Sequence, residues 1–169
     1  DKGIDAVAEI YIFDEIGAYG ITAQDFIAEM KEYKDTPVNL RINCIGGDVF
    51  DGMAMYNIIK KREAKTTAYI EGIAASMGSV IALAADEVVM AENSLFMIHN
   101  AWGGAMGEAE DMRKTASVLE KISGEIANIY KRKTRLSLDR ITDMMDEETW
   151  LNAEEAYELG FIDSISDSI

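Results

Sequence analysis

Residues 66–85 read TTAYIEGIAASMGSVIALAA and combine a strand pattern with a helix pattern. Residues 66–70 are rich in β-branched and aromatic side chains, which is typical of a strand, whereas residues 80–85 are good helix formers. The small residues at 72–79 allow a sharp strand-to-helix turn, with Ser76 in the first helical turn. A hydroxyl there lies beside unpaired backbone N–H groups, the donors that an oxyanion needs during acyl transfer. Ser76 is therefore a candidate nucleophile, and its alternative role is to cap a buried helix.

The rest of the chain alternates between strand and helix patterns. Strands are predicted at 6–13, 38–43, 88–90, 95–98 and 161–163, with a short extended piece at 149–151. Helices are predicted at about 23–34, 49–62, 107–134, 138–146 and 153–159, with Thr22, Asp48 and Asn152 placed to cap and Gly160 following the last. The second helix is expected to turn its face carrying Phe50, Met53, Ala54 and Ile58 inward. This alternation implies parallel crossovers, so the predicted fold class is α/β.

Composition narrows the classes of function. A chain of 169 residues is predicted to form one domain, 1–169. The net charge of −15 argues against nucleic acid as a partner. One cysteine, Cys44, and one histidine are too few for the common Cys/His metal sites, and we expect neither a metal nor a cofactor. The longest apolar run is too short to span a bilayer and no signal-peptide pattern opens the sequence, so a cytoplasmic protein without a membrane segment is expected.

Two further motifs follow strand ends and can lie close to Ser76 in space. His99 comes directly after the strand at 95–98, and Gly46 and Gly47 come after the strand at 38–43. Because the carboxyl ends of parallel strands converge on one edge of a sheet, these residues can be neighbours. His99 would then serve as general base, with the Gly47 and Met77 N–H groups as oxyanion donors. The alternatives are a structural histidine and an ordinary glycine turn.

The helix at 107–134 carries a regular apolar stripe. Its members, Met112, Leu119, Ile122, Ile126 and Ile129, are spaced by seven, three, four and three residues, as in a coiled coil. A helix of roughly 40 Å exceeds the compact radius of about 15 Å expected for such a domain. We therefore expect the helix to project and to bury its stripe against another subunit, the alternative being that it packs on its own domain.

Four motifs occur in an order that resembles the ClpP peptidase family, especially its phage and prophage-type members. They are Asn43-Cys44-Ile45-Gly46-Gly47, Gly72-Ile73-Ala74-Ala75-Ser76-Met77-Gly78, Met97-Ile98-His99-Asn100 and the segment NAEEAYELGFID at 152–163. The resemblance implies a ClpP/crotonase-like fold of repeated β-β-α or βαβ units, and a serine endopeptidase acting inside heptameric rings, two of which stack into a tetradecamer. It also implies that Ser76 is the nucleophile, His99 the base, Gly47 and Met77 the oxyanion donors, and 107–134 the projecting handle helix.

Two departures from the family pattern matter. The third triad member is usually an aspartate four residues before the Asn152 position, and this chain has Glu148 there, with Asp146 as the runner-up. Asn39 and Arg41 occupy strand positions that in the family help to build an apolar, tyrosine-rich pocket, so docking of an ATP-dependent unfoldase stays open. A phage-type member would fit capsid maturation, alongside general proteolysis of peptides and unfolded proteins.

Three other readings share parts of these motifs. A crotonase-type acyl-CoA enzyme would use the same fold and a backbone oxyanion hole without a Ser–His pair. A signal peptide peptidase relative would pair serine with lysine, against which the Met-Ile-His motif counts. An inactive oligomeric scaffold would keep the fold alone.

Overall fold

The computed structural model describes residues 6–167, so the predicted domain limits at residues 1 and 169 lie outside the described residues. Within that range the strands are β1 (Ala8–Ile12), β2 (Val38–Cys44), β3 (Thr66–Ala75), β4 (Glu87–Ala91), β5 (Leu95–Ile98), β6 (Thr149–Leu151) and β7 (Ser164–Ser166). The helices are α1 (Ala23–Glu32), α2 (Val49–Lys60), α3 (Met77–Ala82), α4 (Ala109–Lys133), α5 (Leu138–Asp146) and α6 (Ala153–Glu158).

The sheet is parallel except at one strand. Its main path is β1-β2-β3-β4-β7, with every neighbouring pair parallel. The end of β3 leaves this path and pairs in parallel with β5, and β6 runs antiparallel on the other side of β5. The α/β class is therefore confirmed. The carboxyl ends of β2, β3 and β5 lie side by side, as expected for a site at one sheet edge.

Strand β3 is five residues longer than predicted. The sequence pattern ended the strand at Ile70, but the structure continues it to Ala75. Ala74 pairs with Cys44 of β2 after a register shift, and residues 73–75 pair with β5. The small residues before Ser76 are thus strand residues, because two neighbouring strands supply the backbone partners that a turn would lack.

The inward face of α2 was predicted correctly only in part. Phe50 is 70% exposed, whereas Met53, Ala54 and Ile58 are half-buried and pack against the core. The buried residues are Gly52, Met55, Tyr56 and Ile59. A Cβ at Gly52 would lie 2.5 Å from Met77 Cε, so this glycine lets α3 approach α2 closely. Apolar residues occur on every side of α2, so the contact with α3 decides which side is buried.

The final strand also begins later than predicted. Phe161 and Ile162 are buried core residues outside any strand, and β7 starts at Ser164. Asp163 accepts hydrogen bonds from Val88 N at 2.8 Å and Lys133 Nζ at 2.6 Å. The strand at 164–166 exists because it pairs with the edge of β4, not because it is apolar.

The local helix signals were predicted correctly. Side chains of Thr22, Asp48 and Asn152 accept hydrogen bonds from the first turns of α1, α2 and α6, and Gly160 follows α6 with φ +82°. The long helix α4 covers most of the predicted range, and its apolar residues are exposed or half-buried as far as Ile122 but buried from Ile126 onward. No helix within residues 6–167 has the length and apolar character needed to cross a membrane.

Candidate active site

Ser76 lies at a strained point between β3 and α3. Its backbone has φ 53° and ψ −125°, so it precedes α3 as the N-cap and is not in the first helical turn as predicted. A non-glycine residue in such a conformation costs about 1–3 kcal/mol, which the surrounding structure must offset. Its hydroxyl makes no capping hydrogen bond to α3. Instead, Ser76 Oγ lies 2.8 Å from His99 Nε2.

Strand pairing brings the histidine to the serine. Ala75 pairs with Met97 in the parallel β3–β5 ladder, and Ser76 N donates to Met97 O at 3.0 Å. His99 follows β5 directly, so its ring reaches Ser76 although 23 residues separate the two. The imidazole is 18% exposed, which leaves it accessible from the cleft.

The other imidazole nitrogen faces Glu148. His99 Nδ1 is 3.5 Å from Glu148 Oε1, a longer separation than an ordinary hydrogen bond. The antiparallel β5–β6 pairing, in which Ile98 is opposite Thr149, places Glu148 across from His99. Glu148 has φ 53° and a side chain that is 55% exposed. The carboxylate is therefore positioned beside the ring but loosely held.

Asp146, the alternative carboxylate, has a different partner. Its Oδ1 accepts a hydrogen bond of 2.7 Å from Asn100 Nδ2. On the other side of the same loop, Ala101 N donates to Ser123 Oγ of α4 at 3.1 Å. Asp146 of α5 and Ser123 of α4 thus hold the loop that follows His99. Of the two carboxylates, Glu148 is the one that lies beside the His99 ring.

Sequence reasoning did not identify Asn100 or Ser123 as supports of this loop. Two signals were present, because Ser123 is a polar residue beside the apolar stripe of α4 and Asn100 directly follows the histidine. Neither signal named a partner, since the contacts join segments 22 and 46 residues apart.

The glycine turn lies against Ser76. Gly46 and Gly47 have φ +102° and +140°, which favour glycine. A Cβ at Gly46 would lie 2.7 Å from Ser76 Cβ, and a Cβ at Gly47 would lie 2.1 Å from Ile16 O. Neither position therefore accepts a side chain without displacement. Met77 is the first residue of α3, and its N–H has no acceptor within the helix.

These residues open into one cleft of about 630 Å³, lined by Ser76, His99, both glycines and Met77. Its other walls are mainly apolar and include Ile45, Phe50, Trp102, Leu119, Ile122 and Ile126. Trp102 and Phe50 are 82% and 70% exposed, so bulky apolar side chains stand at the mouth. The cleft suits an extended ligand with apolar groups.

Within residues 6–167, a metal-binding cluster and the Cys44 thiol would be the other possible reaction centres. No group of three or more His, Cys, Asp or Glu side chains is placed to hold a metal ion there. Cys44, at the end of β2, is buried, and burial raises the pKa of its thiol. A raised pKa disfavours the reactive thiolate.

Comparison with known proteins finds sequences similar to this chain. The family model described as Clp protease matches residues 8–168. The chain is 31% identical over 147 residues to the ATP-dependent Clp protease proteolytic subunit 1 of Salinibacter ruber, covering 86% of this chain and 63% of that one. It is 30% identical over 152 residues to the corresponding subunit of Deinococcus radiodurans, with 89% and 74% covered, and 32% identical over 130 residues to that of Bacteroides fragilis, with 76% and 63% covered.

The chain thus spans between about three fifths and three quarters of the length of these curated relatives. The family match covers nearly all the described residues, including both strand ends that carry Ser76 and His99. The chain belongs to the Clp protease family.

Proposed function

We propose that this protein is a serine-type endopeptidase. The proposal is carried by the 2.8 Å separation of Ser76 Oγ and His99 Nε2 at the head of α3. His99 Nε2 takes the proton as Ser76 Oγ attacks the scissile carbonyl, and the same nitrogen later protonates the leaving amine. Water then hydrolyses the acyl-enzyme with His99 again acting as base.

The two oxyanion donors are assigned to the N–H groups of Met77 and Gly47. Met77 N–H has no acceptor within α3, and Gly46, the neighbour of Gly47, lies against Ser76 Cβ and Met77 N. Donors of this kind, already oriented before the reaction, stabilise the negative charge that develops on the carbonyl oxygen. Glu148 is the proposed third triad member, which favours the His99 tautomer carrying its proton on Nδ1.

The proposed substrate is a peptide or unfolded protein bound in the cleft beside Ser76. The apolar walls and the exposed Trp102 and Phe50 support an extended chain with bulky side chains. We propose general proteolysis, with phage capsid maturation as the narrower role. Both would take place in the cytoplasm.

Assembly into heptameric rings, paired into a tetradecamer, is part of the same proposal. It is supported by the early part of α4, where Met112 and Val118 are 41% and 49% exposed. Covering such apolar groups is favourable in water. On the outer sheet face, Arg41 pairs with Glu9 at 2.6 Å and Glu71 at 2.8 Å, a charged surface that leaves docking of an unfoldase open.

The test is covalent labelling by a fluorophosphonate probe, together with hydrolysis of a small fluorogenic peptide. We expect the probe to modify Ser76 and both signals to disappear in Ser76→Ala. Ser164→Ala, which removes a hydroxyl from β7, is the matched control and should keep both. Acyl-CoA turnover that survives Ser76→Ala would favour the crotonase-type enzyme. Absence of labelling and of hydrolysis in the assembled wild-type protein would favour an inactive scaffold.

A further inference from the structure

Two buried hydroxyl groups lie behind the Ser76 turn and have no part in the proposed proton transfer. Ser79 Oγ is 2.6 Å from the Ser76 carbonyl oxygen, and the Tyr130 hydroxyl is 2.8 Å from Ser79 Oγ. Ser79 and Tyr130 are both 0% exposed, so their hydroxyl groups depend on partners within the protein. This contact joins α3 to α4 across 51 residues of sequence.

The direction of these hydrogen bonds follows from their chemistry. A carbonyl oxygen only accepts, so Ser79 donates its single hydroxyl proton to Ser76 O. Tyr130 must then donate to Ser79 Oγ. Burial also raises the pKa of Tyr130, which keeps its hydroxyl protonated and able to donate. The result is a directed chain from Tyr130 through Ser79 to the Ser76 backbone.

The Ser76 backbone needs such support because its φ of 53° is unfavourable for a serine. Its carbonyl oxygen also accepts from the N–H groups of Ser79 at 3.0 Å and Val80 at 3.2 Å. These two bonds form within the start of α3 and tie the turn only to its own helix. The Ser79 hydroxyl adds a third donor, and Tyr130 orients it from a separate helix.

We propose that Tyr130 and Ser79 are positioning residues, whose hydrogen-bond chain holds the Ser76 backbone in the conformation that directs Oγ to His99 Nε2. This inference rests on the proposed function, since it assigns these hydroxyls a role in the same reaction. The Tyr130 ring packs edge-on against Phe161, with ring centroids 5.9 Å apart. Tyr130 also lines the cleft, but its ring and the Phe161 contact stay in Tyr130→Phe, so the substitution removes the hydroxyl alone.

The kinetic test compares Tyr130→Phe with Tyr56→Phe, which removes a hydroxyl from a buried tyrosine of α2 that does not line the cleft. We expect kcat for a small peptide to fall about 3- to 10-fold in Tyr130→Phe, the range of one lost hydrogen bond. The KM of Tyr130→Phe should remain near the wild-type value. Both kcat and KM of Tyr56→Phe should also remain near wild type. Ser79→Ala should cost more, and the double variant less than the product of the two losses, because both hydroxyls act through one chain.

A purely structural role would lower Tm in Tyr130→Phe and leave kcat unchanged at temperatures well below Tm. That result, or a kcat equal to that of Tyr56→Phe, would overturn the inference. A second readout does not depend on activity. Crystal structures of wild type and Tyr130→Phe should show the 2.8 Å Ser76 Oγ–His99 Nε2 contact lengthened or lost in the variant. An unchanged contact refutes the positioning role, whereas an inactive wild type with a lengthened contact in the variant refutes only the peptidase proposal.

Discussion

The two sides of the His99 ring differ in how firmly they are held. On the Nε2 side, Ser76 is fixed by the β3–β5 ladder and its hydroxyl lies at 2.8 Å. On the Nδ1 side, Glu148 lies at 3.5 Å on a side chain that is 55% exposed. Water screens an exposed charge, so the carboxylate influences the ring less than a buried one would. Backbone pairing in the sheet therefore fixes Ser76 beside His99, whereas the Glu148 carboxylate is more distant and more exposed.

The largest effect is expected from removing the base. His99→Ala should lower kcat/KM for a small peptide by about three orders of magnitude or more, because among residues 6–167 His99 Nε2 is the only hydrogen-bond partner of Ser76 Oγ. The residual rate would come from the oxyanion donors and from binding. Steady-state kinetics on the assembled protein provide the measurement. A loss below about tenfold would contradict general-base catalysis by this residue.

A smaller effect is expected at the acid. Glu148→Gln should lower kcat by about 10- to 100-fold, less than a buried triad aspartate, because the carboxylate is exposed and distant. The matched control is Asp146→Asn, whose amide oxygen can still accept the hydrogen bond from Asn100. Measuring kcat for both variants on the same peptide decides which carboxylate orients His99. A greater loss in Asp146→Asn would transfer the orienting role to Asp146.

The smallest effect is expected at Cys44. Its thiol lies buried at the end of β2, and burial raises its pKa, so iodoacetamide should alkylate it only in denaturant. Peptide hydrolysis by the native protein should then stay near its starting rate after treatment. Mass spectrometry of native and unfolded samples checks the modification. Rapid alkylation accompanied by loss of activity would point to a thiol in the reaction instead.

The features that were predicted correctly depend on residues close in sequence. Thr22, Asp48 and Asn152 cap their helices through contacts three residues apart, which any reading of the chain can detect. The proximity of Ser76 and His99 followed from one further rule, that parallel strands end at one edge. The carboxylate partner could not be chosen in this way, because its position depends on the antiparallel pairing of Ile98 with Thr149.

The two predictions that were wrong in whole or in part concern features that depend on contacts between distant segments. The face of α2 was assigned from periodicity, but the approach of Met77 to Gly52 decides which residues are buried. The final strand was assigned to apolar residues, yet Phe161 is a core residue and the polar segment 164–166 pairs with β4. In both cases packing between distant segments outweighs the local pattern.

The order of residues is sufficient for the α/β class, the helix caps and the proximity of Ser76 and His99, because these depend on short-range bonding and on the direction of strands. Tertiary packing alone decided that Ser76 adopts φ 53°, that Glu148 rather than Asp146 faces the ring and that Tyr130 reaches Ser79. Each of these arrangements joins groups through space, and its stability comes from partners that no local pattern identifies.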